Sequence, residues 1–76
     1  MPIKPKQDFV VCVENSGHPA SLEKRKIYIA LSDPASEEHG LLRVIDESGD
    51  DYLYPSSFFL KVNLPEAIKN AVLAAA

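Results

Sequence analysis

The sequence predicts a mainly β protein: a five-stranded antiparallel barrel followed by a C-terminal α-helix. Five short apolar segments are separated by turn-forming residues, and one of them, residues 26–31, alternates between two faces as a half-buried strand does. The last stretch, residues 64–75, instead repeats its apolar residues at helical spacing. A chain of 76 residues has room for one domain, which we expect at residues 8–76.

The N-terminal part of the sequence predicts a lead-in, a strand and a loop. Residues 1–7, MPIKPKQ, show no periodicity, and we expect a flexible lead-in there. Residues 8–13, DFVVCV, are too few for a helix and rich in β-branched and aromatic types, which indicates a strand covered on both faces. A loop with turn-forming residues spans residues 14–25 and leads to the strand at residues 26–31.

The second connection carries the signals of one helical turn. Asp33 is a possible N-cap, Pro34 stands at the first helical position, and Gly40 stands where a helix would stop. Residues 41–46 and 51–54 then flank Ser48-Gly49, which predicts a β-hairpin whose turn needs a residue at positive φ.

The fifth strand is predicted at residues 58–62, FFLKV. If Leu60 and Val62 point into the core, alternation turns Phe58 inward and Phe59 outward, which would make Phe59 an exposed aromatic residue.

The terminal helix is expected to span residues 64–75. Asn63 and Glu66 have the spacing of a capping box, and Pro65 would lie in the first turn. The helix carries an apolar stripe that could cover the first strand: Leu64, Ile68, Ala71, Val72 and Ala75.

The run Tyr54-Pro55-Ser56-Ser57, followed by an aromatic residue and the last strand, resembles the end of Src-homology-3 domains. The resemblance covers roughly residues 8–62 and implies a Src-homology-3-like barrel. The family's Ala-Leu-Tyr-Asp-Tyr stretch is missing and the chain contains no Trp, so the polyproline groove is not implied.

Longer stretches resemble a group of short, uncharacterised bacterial proteins that we expect to share this barrel. They include the hairpin sequence HGLLRVIDESGDDYLYP and the terminal LPEAIKNAV. The resemblance implies no activity.

Composition argues for a cytoplasmic protein outside the membrane. No apolar window is long enough for a membrane span, and the N-terminus lacks the apolar stretch of a secretion signal. The single cysteine, Cys12, fits a reducing compartment. A net charge of −3 disfavours a dedicated nucleic-acid binder, because phosphate contacts normally require a basic excess.

The sequence predicts no catalytic, metal or cofactor site. Cys12 lies in the most apolar segment, and His18 and His39 have no partner fixed near them by sequence, so we expect a non-enzymatic protein. One cysteine and two dispersed histidines lack the spacing of a zinc site.

Four acidic residues crowd the hairpin turn and are expected to be solvated: Asp46, Glu47, Asp50 and Asp51. They supply only half of the ligands of a calcium loop. The alternative is a landing site for a basic partner.

The leading functional hypothesis is a protein-interaction module, monomeric or weakly dimeric. Its candidate binding residues form an aromatic and proline surface beside the acidic hairpin: Asp50, Asp51, Tyr52, Tyr54, Pro55 and Phe59. Whether these rings are exposed or covered by the terminal helix stays open. The alternative is a nucleic-acid-binding barrel that uses four cations: Lys24, Arg25, Lys26 and Arg43.

Overall fold

A computed structural model describes residues 7–75 of the chain. It contains one sheet of five antiparallel strands, in the order β4-β3-β2-β1-β5, and a C-terminal helix. The elements are β1 (Gln7–Cys12), β2 (Ile27–Leu31), α1 (Pro34–Glu37), β3 (Leu41–Ile45), β4 (Asp51–Pro55), a 3₁₀ turn (Ser56–Phe58), β5 (Phe59–Val62) and α2 (Glu66–Ala74). All five predicted strands are confirmed to within one residue at each end.

The sheet is open rather than closed. Strands β4 and β5 are its two edges, and the hydrogen-bonded ladder does not join them, so the predicted barrel is not confirmed. The predicted lead-in ends one residue early because Gln7 already belongs to β1, and its remaining residues lie outside the described part of the chain.

One face of the sheet forms the core, and we call it the core face. Antiparallel pairing places opposite residues on the same side, and Val10 lies opposite Tyr28 while Cys12 lies opposite Phe59. These side chains are buried together with those of four further residues: Leu22 of the long loop, Ala30, Val44 and Tyr54. The long loop therefore contributes to the core.

The opposite, outer face of the sheet is also apolar. Phe9 is buried there, and Ile27, Ile29 and Ile45 are half-buried. Val72 of α2 joins these three isoleucines in lining an open cleft of about 590 Å³. The apolar residues that alternate along β2 thus point away from the main core.

Helix α2 covers the outer face only lightly. None of its residues is buried, and Ile68 and Leu73 remain exposed. The cleft beneath it is lined by β2 and β3, so the prediction that the apolar stripe covers the first strand is not supported by the packing. Neither helix within residues 7–75 is long and apolar enough to cross a membrane.

The start of α2 corrects the predicted capping box. The helix begins at Glu66 with Pro65 as its N-cap, and no side chain makes a capping hydrogen bond. Pro65 itself has an extended backbone with ψ of 151°, so the helix cannot begin at Leu64 as predicted. Asn63 therefore lies outside the cap.

Two turn predictions are confirmed in detail. The Asp33 side chain accepts a hydrogen bond from the backbone N–H of Ser36, as expected of the N-cap of α1. In the hairpin between β3 and β4, Gly49 has φ of +87°, a backbone conformation that residues with a Cβ rarely adopt.

The phase of β5 is opposite to the prediction. Phe59 is only 6% exposed and packs in the core, whereas Leu60 is 60% exposed. The ring of Phe59 contacts that of Tyr54, with centroids 6.3 Å apart. The 3₁₀ turn at Ser56–Phe58 delivers the chain so that Phe59, and not Phe58, takes the first core position of the strand.

Candidate functional site

The acidic hairpin is tied to the core by one of its carboxylates. Asp46 is 7% exposed, and it accepts hydrogen bonds from the hydroxyl of Tyr54 at 2.5 Å and from the hydroxyl and backbone N–H of Ser48. The expectation that all four acids are solvated is therefore wrong for Asp46. Its charge is buried because three donors replace its water.

A second carboxylate holds the other core tyrosine. Glu47 accepts a hydrogen bond from the hydroxyl of Tyr28 at 2.5 Å and forms an ion pair with Lys26 at 2.6 Å. The same hydroxyl accepts the backbone N–H of Glu23, and the N–H of Glu47 donates to the carbonyl of Ser21. The hairpin thereby holds the long loop against the sheet.

These contacts change the proton affinities of both partners. Burial alone would raise the pKa of Asp46, but the hydrogen bonds from Ser48 and Tyr54 outweigh it and hold the pKa below its ordinary value. Lys26 and then Tyr28 lower the pKa of Glu47. Burial, reinforced by the carboxylate partners, raises the pKa of the Tyr28 and Tyr54 hydroxyls.

The structure separates the predicted aromatic surface into a buried and an exposed part. Tyr54 is 4% exposed and belongs to the core with Phe59, so neither ring lies on the surface, and the prediction of an exposed Phe59 is wrong. Pro55 is half-buried. Tyr52, at 52% exposure, is the ring of this set that lies open to solvent, and its neighbours Asp50 and Asp51 are exposed as well.

Residues that the sequence did not single out for binding complete the surface around Tyr52. An open groove of about 400 Å³ runs between the long loop and β4, and it is lined by His18, Ser21, Asp46, Ser48, Tyr52, Leu53 and Tyr54. The His18 ring packs edge-on against Tyr54, with centroids 5.0 Å apart. Leu53 is exposed because β4 is an edge strand, which sequence periodicity does not reveal.

The four cations of the alternative hypothesis do not form one surface. Arg43 lies opposite Leu31, whereas Lys26 precedes the other end of β2, about 16 Å away at the usual rise per strand residue. Arg43 is paired with Asp33 at 2.8 Å and with Asp51 at 3.0 Å. These two carboxylates neutralise Arg43, and Glu47 pairs with Lys26, so two of the four cations already have carboxylate partners. Lys24 and Arg25 are exposed in the long loop.

The cysteine considered for catalysis is fully buried. The Sγ atom of Cys12 lies 3.2 Å from the carbonyl oxygen of Glu14, and burial raises the pKa of the thiol. Both features disfavour the reactive thiolate. Within residues 7–75, no three His, Cys, Asp or Glu side chains lie close enough together to hold a metal ion.

Comparisons of this chain with protein families, curated proteins and solved structures find no match. The resemblance to Src-homology-3 domains therefore stays a prediction, and the function has to be argued from the geometry of the groove.

Proposed function

We propose that this protein is a non-enzymatic interaction module that binds another protein through the groove beside β4, which we call the Tyr52 groove. The observation that carries the proposal is the joint exposure of Tyr52 and Leu53 on an edge strand, next to a groove of about 400 Å³. Tyrosine supplies a large contact area at low entropic cost and is enriched among residues that dominate binding energy.

The scaffold around the groove supports a binding role because it is fixed on both sides. One wall is β4, which is paired along its length with β3. The other wall is the long loop, which is attached to the core by Leu22 and to the hairpin by the hydrogen bond between Ser21 and Glu47. A groove with two fixed walls binds without first paying a large ordering entropy.

The proposal includes a Src-homology-3-like barrel as the interpretation of the sheet. Its support is the contact between Tyr54 of β4 and Phe59 of β5, since the two edge strands can share a core contact only if the sheet curls strongly. The free, buried thiol of Cys12 supports a reducing, cytoplasmic compartment for the module.

A random-peptide display selection against the immobilised protein tests the proposal. We expect the protein to enrich a consistent set of peptides, and we expect the variant Tyr52→Ser/Leu53→Ser to lose them. The matched control is Leu60→Ser, which removes a still more exposed leucine, 60% against 40% for Leu53, from the other edge strand and should retain the peptides.

An NMR spectrum of each variant checks that it is folded. Failure to enrich any peptide, or equal enrichment by the groove variant, would contradict the proposed function.

A further inference from the structure

The backbone of β4 has a free edge along the Tyr52 groove. The N–H of Asp46 donates to the carbonyl of Asp50 at 3.1 Å, and the N–H of Ser56 donates to the carbonyl of Gly40 at 2.9 Å. Residues of an antiparallel ladder alternate between hydrogen-bonded and non-hydrogen-bonded pairs. Counting inward from these two hydrogen-bonded pairs, Val44–Tyr52 and Leu42–Tyr54 are hydrogen-bonded pairs as well. The backbone groups of Tyr52 and Tyr54 therefore face β3.

The intervening residues of β4 direct their backbone groups away from the sheet. These are Asp51, Leu53 and Pro55, of which Pro55 has no N–H. Since β4 pairs only with β3 within residues 7–75, the N–H and C=O groups of Asp51 and Leu53 face outward. Such a row is a template for a further strand.

The side chains next to this edge are aromatic on one face and apolar on the other. A strand added to β4 would alternate its side chains between the two faces. Those on the core face would enter the Tyr52 groove beside His18, and those on the outer face would lie next to Leu53.

The charge around the edge is negative. Arg43 is shared between Asp33 and Asp51, so one guanidinium meets two carboxylates. Asp50 is exposed and forms no ion pair within residues 7–75, and Glu47 has a single cationic partner, Lys26, at 2.6 Å. A basic segment would be attracted to this edge, and an acidic one would be repelled.

The other edge of the sheet is less suited to such an addition. Strand β5 has four residues, and it carries an exposed lysine, Lys61, which is a common protection of edge strands. No residue of β5 lines either the cleft of about 590 Å³ or the Tyr52 groove.

We infer that the partner of the Tyr52 groove is an extended, lysine- or arginine-bearing segment of another protein, which adds to β4 as a sixth strand. Its main chain bonds to Asp51 and Leu53, and its cations meet Asp50 and the exposed face of the Tyr52 ring. This inference rests on the proposed function and adds the conformation and charge of the ligand.

The test uses a short synthetic peptide that alternates Lys with Val, titrated into the full chain and followed by NMR. We expect saturable shifts at residues 51–53 and, at saturation, an amide hydrogen exchange of Asp51 and Leu53 slowed by about tenfold or more. The amides of Leu60 and Lys61 in β5 serve as the internal control and should be unchanged.

Three matched comparisons separate main-chain pairing from charge attraction. Replacing Lys by Glu in the peptide should weaken binding by about tenfold or more. N-methylation of alternate peptide residues, made in both phases, should weaken binding in one phase only, because only one set of N–H groups can face β4. Asp50→Asn should weaken binding, whereas Glu38→Gln, an equal charge change at an exposed residue outside the hairpin turn and the Tyr52 groove, should not.

Equal binding of both N-methylated peptides, equal binding of the Glu peptide, or protection at β5 would overturn the inference. If peptides selected by display bind the Tyr52 groove without protecting Asp51 and Leu53, the proposed function stands and the inference fails. If no peptide is selected at all, the proposed function fails. A dimer that protects the same two amides and dissociates in Leu53→Ser would identify a second copy as the occupant, which also overturns the inference.

Discussion

The hydroxyl of Tyr54 donates a hydrogen bond of 2.5 Å to the carboxylate of Asp46, and both groups are buried. The pair connects the middle of the core to the turn of the acidic hairpin. An ionised carboxylate forms stronger hydrogen bonds than a neutral acceptor does, and a buried carboxylate that loses a donor is costly. The hairpin is consequently a structural anchor as well as an acidic surface.

Removing this hydroxyl should destabilise the protein. We expect Tyr54→Phe to lower the free energy of unfolding by about 1–3 kcal/mol, because the Asp46 carboxylate keeps its hydrogen bonds from Ser48 but loses a buried donor. Tyr52→Phe is the matched control, and it should change the free energy by less than about 0.5 kcal/mol because its side chain is half exposed. Urea unfolding of both variants measures the difference. Equal effects would show that the hydrogen bond contributes little.

Stability should fall in acid because of Asp46 and Glu47. Their folded pKa values lie below the ordinary 3.8 and 4.5, so the unfolded chain binds these protons more readily. The contribution of these two carboxylates to the free energy of unfolding is complete at neutral pH. It is lost as the pH falls below about 4.5 and through the folded pKa values. Thermal unfolding as a function of pH measures this loss.

The variant Asp46→Asn separates the two carboxylates in this experiment. It should be less stable than the wild type at neutral pH and lose less stability on acidification, because the Asp46 contribution is absent while that of Glu47 remains. Asp50→Asn, whose side chain accepts no hydrogen bond within residues 7–75, should keep the acid dependence of the wild type. If Asp46→Asn lost stability with falling pH as steeply as the wild type does, Asp46 would be excluded as a source of the acid dependence.

The sequence determined the strands well and the face of β5 poorly. Strand positions follow from apolar runs and turn residues, which are local signals. The phase of residues 58–62 was ambiguous because Phe58, Phe59, Leu60 and Val62 are all apolar, so alternation alone does not decide which of them points inward. The 3₁₀ turn before β5 determines that Phe59 is the first residue of the strand to point into the core.

The burial of Asp46 could not be predicted because its donors are remote or ambiguous in sequence. Tyr54 lies eight residues away, and only the hairpin register brings the two together. His18 was missed as a groove residue for the same reason, since its ring packs against Tyr54 and Phe58, which lie in a distant part of the sequence. The exposure of Tyr52 likewise depends on the edge position of β4, which is a property of the whole sheet.

The reversed phase of β5 predicts unequal costs at two neighbouring positions. Phe59→Leu should lower the free energy of unfolding by about 1–2 kcal/mol, because it leaves a void beside Tyr54 and Cys12 in the core. Leu60→Ala should cost less than about 0.5 kcal/mol, since its side chain is mostly exposed. Urea unfolding compares the two. A larger cost at Leu60 would restore the phase expected from the sequence.

Helix α2 should open far more often than the sheet. It has no buried residue and no side-chain cap, whereas β1 and β2 pair along their length and carry much of the core. We expect the amides of α2 to exchange at least about a hundredfold faster than those of Val10 and Ala30, corresponding to a local opening free energy well below that of global unfolding. Hydrogen exchange followed by NMR measures both sets. Equal protection would show that α2 unfolds together with the sheet.

Chemical modification should distinguish Tyr52 from the two core tyrosines. Tetranitromethane reacts with the ionised, accessible phenol. Tyr28 and Tyr54 are buried, and burial together with their carboxylate partners raises the pKa of both hydroxyls, so little phenolate forms in either. We therefore expect Tyr52 to be nitrated first in the folded protein, with all three tyrosines reacting in urea. Peptide mapping by mass spectrometry identifies the product. Early nitration of Tyr54 would mean that the hairpin leaves the core in solution, and the Tyr52 groove would then lose Tyr54 as a lining residue.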